Sequence, residues 1–240
     1  MKIIIKENAE QQALYASDMI AKEIKENPNL NICFATGNSP IKTYQLLIKK
    51  FQNNEISFAK VTSFNLDEYV GIKKSNPCSY HYFMHQQLFN HINIKKENIN
   101  LPNGLGNITK NAIEYESLIL AKGGIDLMIL GIGVNGHIAF NEPGSKIDDI
   151  TREVQLTHST IETNKKYFTN KNAVPKNAIS MGIGTILKAK KIILLADGIN
   201  KADAILKAIK GKITSDVPAS FLQTHKDVTF ILDAQAAKLL

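Results

Sequence analysis

Short apolar runs recur along the chain, each separated from the next by a stretch of helical periodicity. This alternation limits the fold more than any other feature. Leu30–Ala35, Ile125–Leu130, Ile192–Ala196 and Val228–Leu232 are nearly continuous in apolar residues. Runs of that length, bounded by turn residues, read as strands buried on both faces. Between them, Ala9–Glu26 spaces Ala13, Leu14, Ala16, Ile20 and Ile24 along one helix face. Asn8 can cap this helix and Asn27-Pro28-Asn29 can stop it. Further helices are predicted from Ile41 to Phe51, Tyr80 to Ile92, Thr109 to Lys122, Thr160 to Phe168, Ile199 to Ile209 and Ala234 to Leu240. Lys2–Lys6 reads as an edge strand, with Val61–Phe64 and Arg152–Leu156 as further strands. Strands alternating with helices imply a parallel sheet covered on both faces. No repeat, linker or low-complexity stretch interrupts the 240 residues, so a single domain over 1–240 is expected.

Chemistry-bearing residues gather where strands end, which is where open α/β sheets bind ligands. The run Ile125–Leu130 leads into Gly131-Ile-Gly-Val-Asn-Gly-His-Ile-Ala-Phe-Asn-Glu-Pro-Gly144. Its glycines permit a sharp turn and close approach to a ligand. Within it, His137 is a proton-transfer group and Glu142, five residues later, a candidate orienter. Gly131, Gly133 and Gly136 also satisfy G-x-G-x-x-G. A dinucleotide fingerprint needs a helix to open at that loop, whereas Asn141-Glu-Pro-Gly-Ser145 is turn chemistry. A second loop, Thr36-Gly37-Asn38-Ser39-Pro40, joins a strand to a helix N-terminus, where free amides and the helix dipole favour an anion. A third holds the adjacent carboxylates Asp67 and Glu68, residue types that strands disfavour, as acid–base candidates. Lys201, in a helix's first turn, opposes the helix dipole; an anion gripped there offsets this, and exposure to solvent would tolerate it too. One shared site is expected.

Composition removes several other classes. The net charge of +7 invites a nucleic-acid partner, but Arg152 is the one arginine among 29 basic residues. Base readout and bidentate phosphate contacts lean on arginine, and no strand carries an aromatic stacking pattern. The expectation is no nucleic acid and a lysine-rich surface biased toward small anions. No run approaches the roughly 18 apolar residues of a membrane span, and Met1–Lys6 is too short in apolar residues for a signal peptide. Cys33 and Cys78 form no disulfide framework or metal pattern. A cytoplasmic location follows as the expectation. His81 and His85 have metal-ligand spacing on a helix but lack the glutamate beside the first histidine and a third ligand. No metal is expected.

Taken together, Ala35-Thr-Gly-Asn-Ser-Pro40, Phe64-Asn-Leu-Asp-Glu-Tyr-Val-Gly71 and the motif from Gly131 to Gly144 resemble the glucosamine-6-phosphate deaminase family. The likeness continues through Val174-Pro175, Gly182-Ile-Gly184-Thr185 and Lys201. It implies a three-layer α/β/α sandwich with a mainly parallel, Rossmann-like sheet. It also implies conversion of glucosamine 6-phosphate and water to fructose 6-phosphate and ammonia, by ring opening, aldose–ketose isomerisation and deamination. On that resemblance Asp67 is the base that carries a proton between carbons. His137 moves a proton on the ring oxygen, and Glu142 fixes the imidazole. The substrate's own carbonyl and amine supply the electron sink, so no cofactor is implied.

Thr36, Gly37, Asn38 and Ser39, with Lys201, are implied to hold the phosphate, and Glu68 and Gly136 are placed among the substrate-binding residues. Lys166 stands where the family often has arginine, keeping the charge without the planar fork. Asn135 stands where some members carry aspartate. It can orient His137 by hydrogen bonding but cannot balance an imidazolium, so the His137–Glu142 dyad depends more on the glutamate. Allosteric hexamers of the family carry a basic cluster after this loop and a longer C-terminal region. Thr151-Arg-Glu-Val154 keeps one basic residue and the chain stops at Leu240, so a monomeric, non-allosteric form is expected. Two rival readings are a 6-phosphogluconolactonase-like hydrolase and a non-catalytic sugar-phosphate sensor. Asp67-Glu-Tyr69 and Asn141-Glu-Pro-Gly144 fit the deaminase pattern better than the lactonase, and the survival of Asp67, His137 and Glu142 argues against a silent sensor.

Overall fold

Apolar runs become inner strands because a strand covered on both faces has only apolar side chains to bury. The computed structural model describes residues 1–157, 160–162, 165, 168 and 174–240. Its first half holds β1 (Lys2–Lys6), α1 (Ala9–Glu26), β2 (Asn31–Phe34), α2 (Ile41–Gln52), β3 (Thr62–Asn65), β4 (Asp67–Tyr69), α3 (Tyr80–Gln87), β5 (Ile99–Asn100) and α4 (Ile108–Ala121). Its second half holds β6 (Leu127–Leu130), β7 (Arg152–Gln155), β8 (Asn177–Ser180), α5 (Ile183–Ile186), β9 (Lys191–Ala196), α6 (Ala202–Lys210) and β10 (Val228–Asp233).

Seven strands form one sheet in the order β1-β10-β9-β6-β2-β3-β5, with each neighbouring pair parallel. Flanked by helices, this sheet is the middle layer of the expected α/β/α sandwich. Every residue of β2, β3 and β6 is buried, and Ile32, Phe34, Phe64, Leu127, Ile193 and Phe230 belong to the main core. No helix among the described residues is long and apolar enough to cross a membrane.

The structure differs from the sequence expectation in several places, among them β5, a two-residue edge strand that no apolar run announces. Asp67-Glu-Tyr69 is itself a strand, in a second, three-stranded antiparallel sheet ordered β4-β8-β7. Tertiary pairing overrides the poor strand propensity of its carboxylates. The helix expected from Tyr80 to Ile92 ends at Gln87, and a 3-10 turn follows at Phe89–His91. The helix expected from Thr109 begins at Ile108, capped by Asn107, whose side chain accepts from the Lys110 amide. Residues after Asp233 form turns instead of a helix, with Asp233 Oδ1 capturing the Ala236 amide at 2.7 Å. A segment that short does not overcome the cost of helix nucleation. The helix expected over Thr160–Phe168 falls partly outside the described residues, as does Lys166.

Candidate active site

The loops singled out from sequence leave β2, β3, β6 and β9, which are consecutive in the sheet order β9-β6-β2-β3. The chain steps from β2 to β3 in one direction and later returns to place β6 on the other side of β2. Loops leaving such a reversal diverge and open a crevice at the strands' carboxyl ends.

No helix opens after β6: residues 131–151 are turns with an isolated bridge between Ile138 and Asn141. The loop folds back on itself through Gly133 N–H donating to His137 O at 2.8 Å. That fold lays the imidazole against Gly133, where any Cβ would collide with the ring. Gly136 has φ +83°, and its carbonyl accepts from the Ala219 amide at 2.8 Å. Ala139 is also left-handed, at φ 51°, a conformation that costs a non-glycine residue energy and is held by its surroundings.

Within this frame, Asn135 bridges His137 and Glu142. Its Nδ2 donates to Glu142 Oε2 at 2.7 Å, and its Oδ1 lies 2.7 Å from His137 Nδ1. The carboxylate only accepts, so the amide nitrogen must face it and the amide oxygen must face the imidazole. His137 Nδ1 therefore carries the proton donated to Asn135. Nε2 is left to exchange protons. The direct separation between His137 Nδ1 and Glu142 Oε2 is 3.4 Å. The expected dyad is thus a three-residue relay. Burial lifts the Glu142 carboxyl, but the neighbouring His137 outweighs it. With Thr160 and Asn135 also donating, the group sits at about 2. Thr157 Oγ1 adds a contact to Glu142 Oε1 at 3.3 Å.

Asp67 is 5% exposed. Burial, reinforced by the neighbouring Glu68 charge, pushes its carboxyl up to about 8. No donor among the described residues is hydrogen-bonded to that carboxylate. A buried acid raised toward neutrality suits proton shuttling. Its cross-strand partner in β8 is Ser180, whose Oγ accepts from the Phe140 amide at 3.1 Å. Next along, Met181 donates to Leu66 O at 2.8 Å and accepts from Asn141 Nδ2 at 2.8 Å. The Asp67 segment and the His137 loop are therefore stitched together through Ser180 and Met181.

Thr36-Gly-Asn-Ser39 wraps the start of α2, with Gly37 at φ +90°. The helix has Pro40 at its cap, which makes no side-chain cap bond, and the Ile41 amide donates to Asn38 O at 3.2 Å. That is anion-binding geometry. Lys201 lies just before α6 and donates from Nζ to Ile132 O at 2.7 Å, which brings its charge to the His137 loop.

Glu68 departs from the expected arrangement. Its carboxylate is taken up by the backbone amides of Tyr69, Tyr80 and His81. His81 and His85 stack with ring centroids 4.6 Å apart, and burial, with His85 and Lys74 nearby, lowers His81 to about 4. Thr157 and Thr160 were not legible as Glu142 donors. Only the fold brings them to a carboxylate 15 and 18 residues upstream.

The family model described as glucosamine-6-phosphate isomerases/6-phosphogluconolactonase matches residues 5–231. The chain belongs to this family. Among its relatives, a glucosamine-6-phosphate deaminase of Thermoanaerobacter sp. (strain X514) is 50% identical over 241 residues, covering 100% of this chain and 95% of the relative. A solved monomeric glucosamine-6-phosphate deaminase superposes with a TM-score of 0.97 at 41% identity, covering 100% of both chains. The 6-phosphogluconolactonase from Trypanosoma cruzi reaches a TM-score of 0.80 at 22% identity, covering 100% of this chain and 96% of that one. That second likeness speaks to the fold alone.

Proposed function

We propose that the chain is a glucosamine-6-phosphate deaminase, working as a single catalytic domain over 1–240. It is a hydrolase of a C–N bond, and it converts glucosamine 6-phosphate and water to fructose 6-phosphate and ammonia. The observation that carries this reading is the linkage of Asp67 through Ser180 to the loop holding Asn135, His137 and Glu142. A lactonase needs no proton moved between carbons, whereas a buried carboxyl raised to about 8 beside an oriented imidazole is suited to that task.

The chemistry runs on this chain's own groups. His137 Nε2 exchanges a proton with the ring oxygen as the sugar opens, while Asn135 and Glu142 hold the imidazole. The C2–H bond then breaks toward the Asp67 carboxylate, its electron pair forms the C1–C2 double bond, and the carbonyl oxygen takes a proton released by the C2 ammonium, which gives an enolamine. The Asp67 carboxyl returns the proton to C1. The resulting C2 imine adds water and releases ammonia. Thr36, Gly37, Asn38 and Ser39 hold the phosphate through backbone amides, and Lys201 and Lys166 add charge.

The setting we propose is amino-sugar catabolism, including N-acetylglucosamine utilisation, in the cytoplasm, by a monomer without allosteric control. The deciding assay incubates the protein with glucosamine 6-phosphate and, separately, with 6-phosphogluconolactone. Ammonia and fructose 6-phosphate are expected from the first. Lactone loss without ammonia favours the hydrolase reading, and tight binding without C2 exchange in deuterated water favours a sensor. Sedimentation as a hexamer, or activation by N-acetylglucosamine 6-phosphate, overturns the monomeric reading.

A further inference from the structure

Glu68 is 4% exposed, and its two carboxylate oxygens receive three backbone N–H groups. Oε1 accepts from Tyr69 and from Tyr80, each at 2.9 Å. Oε2 accepts from His81, also at 2.9 Å. Tyr80 and His81 open α3, and a helix begins with unsatisfied amides that need partners from outside it. Ser79 supplies the rest: its Oγ accepts from Tyr82 at 3.0 Å and its carbonyl from Phe83 at 3.0 Å. Every first-turn amide of α3 is therefore accounted for, two of them by a carboxylate 12 and 13 residues earlier in the chain.

Adjacent strand residues point to opposite faces. In the three-residue β4, Glu68 is turned to α3, and Asp67 faces the other way. One side of β4 is paired with β8. The same helix start is also held by Tyr69 and Tyr80, whose rings lie 4.9 Å apart and whose hydroxyls meet at 3.4 Å. Tyr80 in turn stacks on Phe140 of the His137 loop at 5.9 Å. The start of α3 is thus joined both to the strand carrying Asp67 and to the loop carrying the imidazole.

We propose that Glu68 is a positioning residue, whose carboxylate clamps the first turn of α3 onto β4 and so fixes where Asp67 meets its substrate. The role rests on the deaminase reading above for what Asp67 does, and on geometry alone for what holds it. It also replaces the substrate contact expected of Glu68 from sequence. Three converging amide donors favour the ionised form of the carboxylate, which only accepts. Burial lifts Glu68 above its ordinary value, against the pull of the amides of Tyr80, His81 and Tyr69 and of Lys74. The charge kept there opposes a second charge on Asp67. Around the pair, the titratable groups are Tyr69 on β4, Lys74 on the following turn, and Tyr80 and His81 on α3. Among the described residues, Cys33 on β2, Tyr115 on α4 and Tyr80 face Asp67.

The test uses the full chain with Glu68→Gln and Glu68→Asp, read by kinetics on glucosamine 6-phosphate, carboxyl NMR titration and amide exchange. Glu68→Gln removes the charge, so the Asp67 titration and the acidic limb of kcat/KM are expected to move to lower pH. Glu68→Asp keeps the charge but shortens the reach. Its kcat is expected to fall by about 100-fold, the scale of a small misplacement of a reacting group, while KM and the limb stay nearly fixed. Both variants should speed amide exchange at Tyr80 and His81. A rise in KM at constant kcat makes Glu68 a substrate ligand and overturns the proposal, as does an Asp67 titration unmoved in Glu68→Gln. Should either variant fail to fold, fast exchange at Tyr80 and His81 in the native protein overturns the clamp by itself. If the native protein releases no ammonia yet the titration and exchange change as described, the deaminase reading fails and the clamp stands.

Discussion

Asn135 Oδ1 lies 2.7 Å from His137 Nδ1, closer than the 3.4 Å that separates the same nitrogen from Glu142 Oε2. The asparagine, not the glutamate, makes the contact that decides which imidazole nitrogen holds the proton. Glu142 acts one step back by fixing the amide at 2.7 Å. Removing the amide with Asn135→Ala frees the ring to take the other tautomer. Loss of an orienting partner commonly costs about 10–100-fold in activity. The deficit is expected with cyclic glucosamine 6-phosphate and should largely disappear with a pre-opened acyclic analogue. His137→Gln should show the same split more strongly. An equal loss on both substrates would remove the relay from ring opening.

Asp67→Asn separates chemistry from stability. C2 exchange with deuterated water should fall by about 10⁴-fold or more, the combined reach of base and positioning effects, with substrate binding retained. For stability the sign follows from a folded carboxyl at about 8 against an ordinary value of 3.8. The folded state holds the proton more tightly than the unfolded chain, so stability is greatest below the ordinary value and declines as pH climbs toward 8. Asparagine carries no such penalty. The melting temperature of the variant relative to the native protein should therefore rise between pH 5 and pH 8. The expected slope is roughly 3–5 °C per pH unit for a chain of this size. A constant difference across that range would place the charge elsewhere.

Gly133→Ala tests the close approach behind His137. The backbone there does not need a left-handed angle, so alanine is acceptable to the main chain, but its Cβ meets the imidazole ring. The ring has to move, and a displaced proton-transfer group costs about 100-fold in kcat. The fold should survive with a near-native melting temperature, and C2 exchange on an acyclic analogue should persist. Full activity would mean that the ring position is not critical.

The inner strands of the central sheet were legible because burial on both faces leaves continuous apolar runs, as in Ile192–Ala196, whereas the two-residue edge strand β5 left none. The candidate site was legible where residue type suggests chemistry at a strand end, and the structure links the segments of Asp67, His137 and Glu142. What stayed hidden depended on distant pairing. The strand β4 exists because Asp67 and Tyr69 find Ser180 and Ala178, more than a hundred residues later, and its own composition argues against a strand. Glu68 looked like a second acid beside the first. A cap reaching 12 and 13 residues forward leaves no local spacing to detect. Asn135 was read as an orienter, yet its place between His137 and Glu142 required the loop's folded geometry.

Lys201 gives the cleanest separation of binding from chemistry. Its Nζ already donates to Ile132 O at 2.7 Å. An ammonium has three donors, so that contact is compatible with a phosphate oxygen as a further acceptor. A charge-assisted hydrogen bond is worth about 1.5–3 kcal/mol, so Lys201→Ala should raise KM by roughly 10–100-fold with little change in kcat. Inhibition by inorganic phosphate should weaken in parallel, and the dependence of KM on ionic strength should flatten. Lys201→Gln keeps an N–H that can reach Ile132 but removes the charge. If the lysine served only to tether the loop, glutamine would restore the native KM. If it grips phosphate, glutamine should behave like alanine. A native KM in Lys201→Ala, or its full recovery in Lys201→Gln, would take the lysine out of the phosphate site and leave the α2 terminus to hold the anion alone.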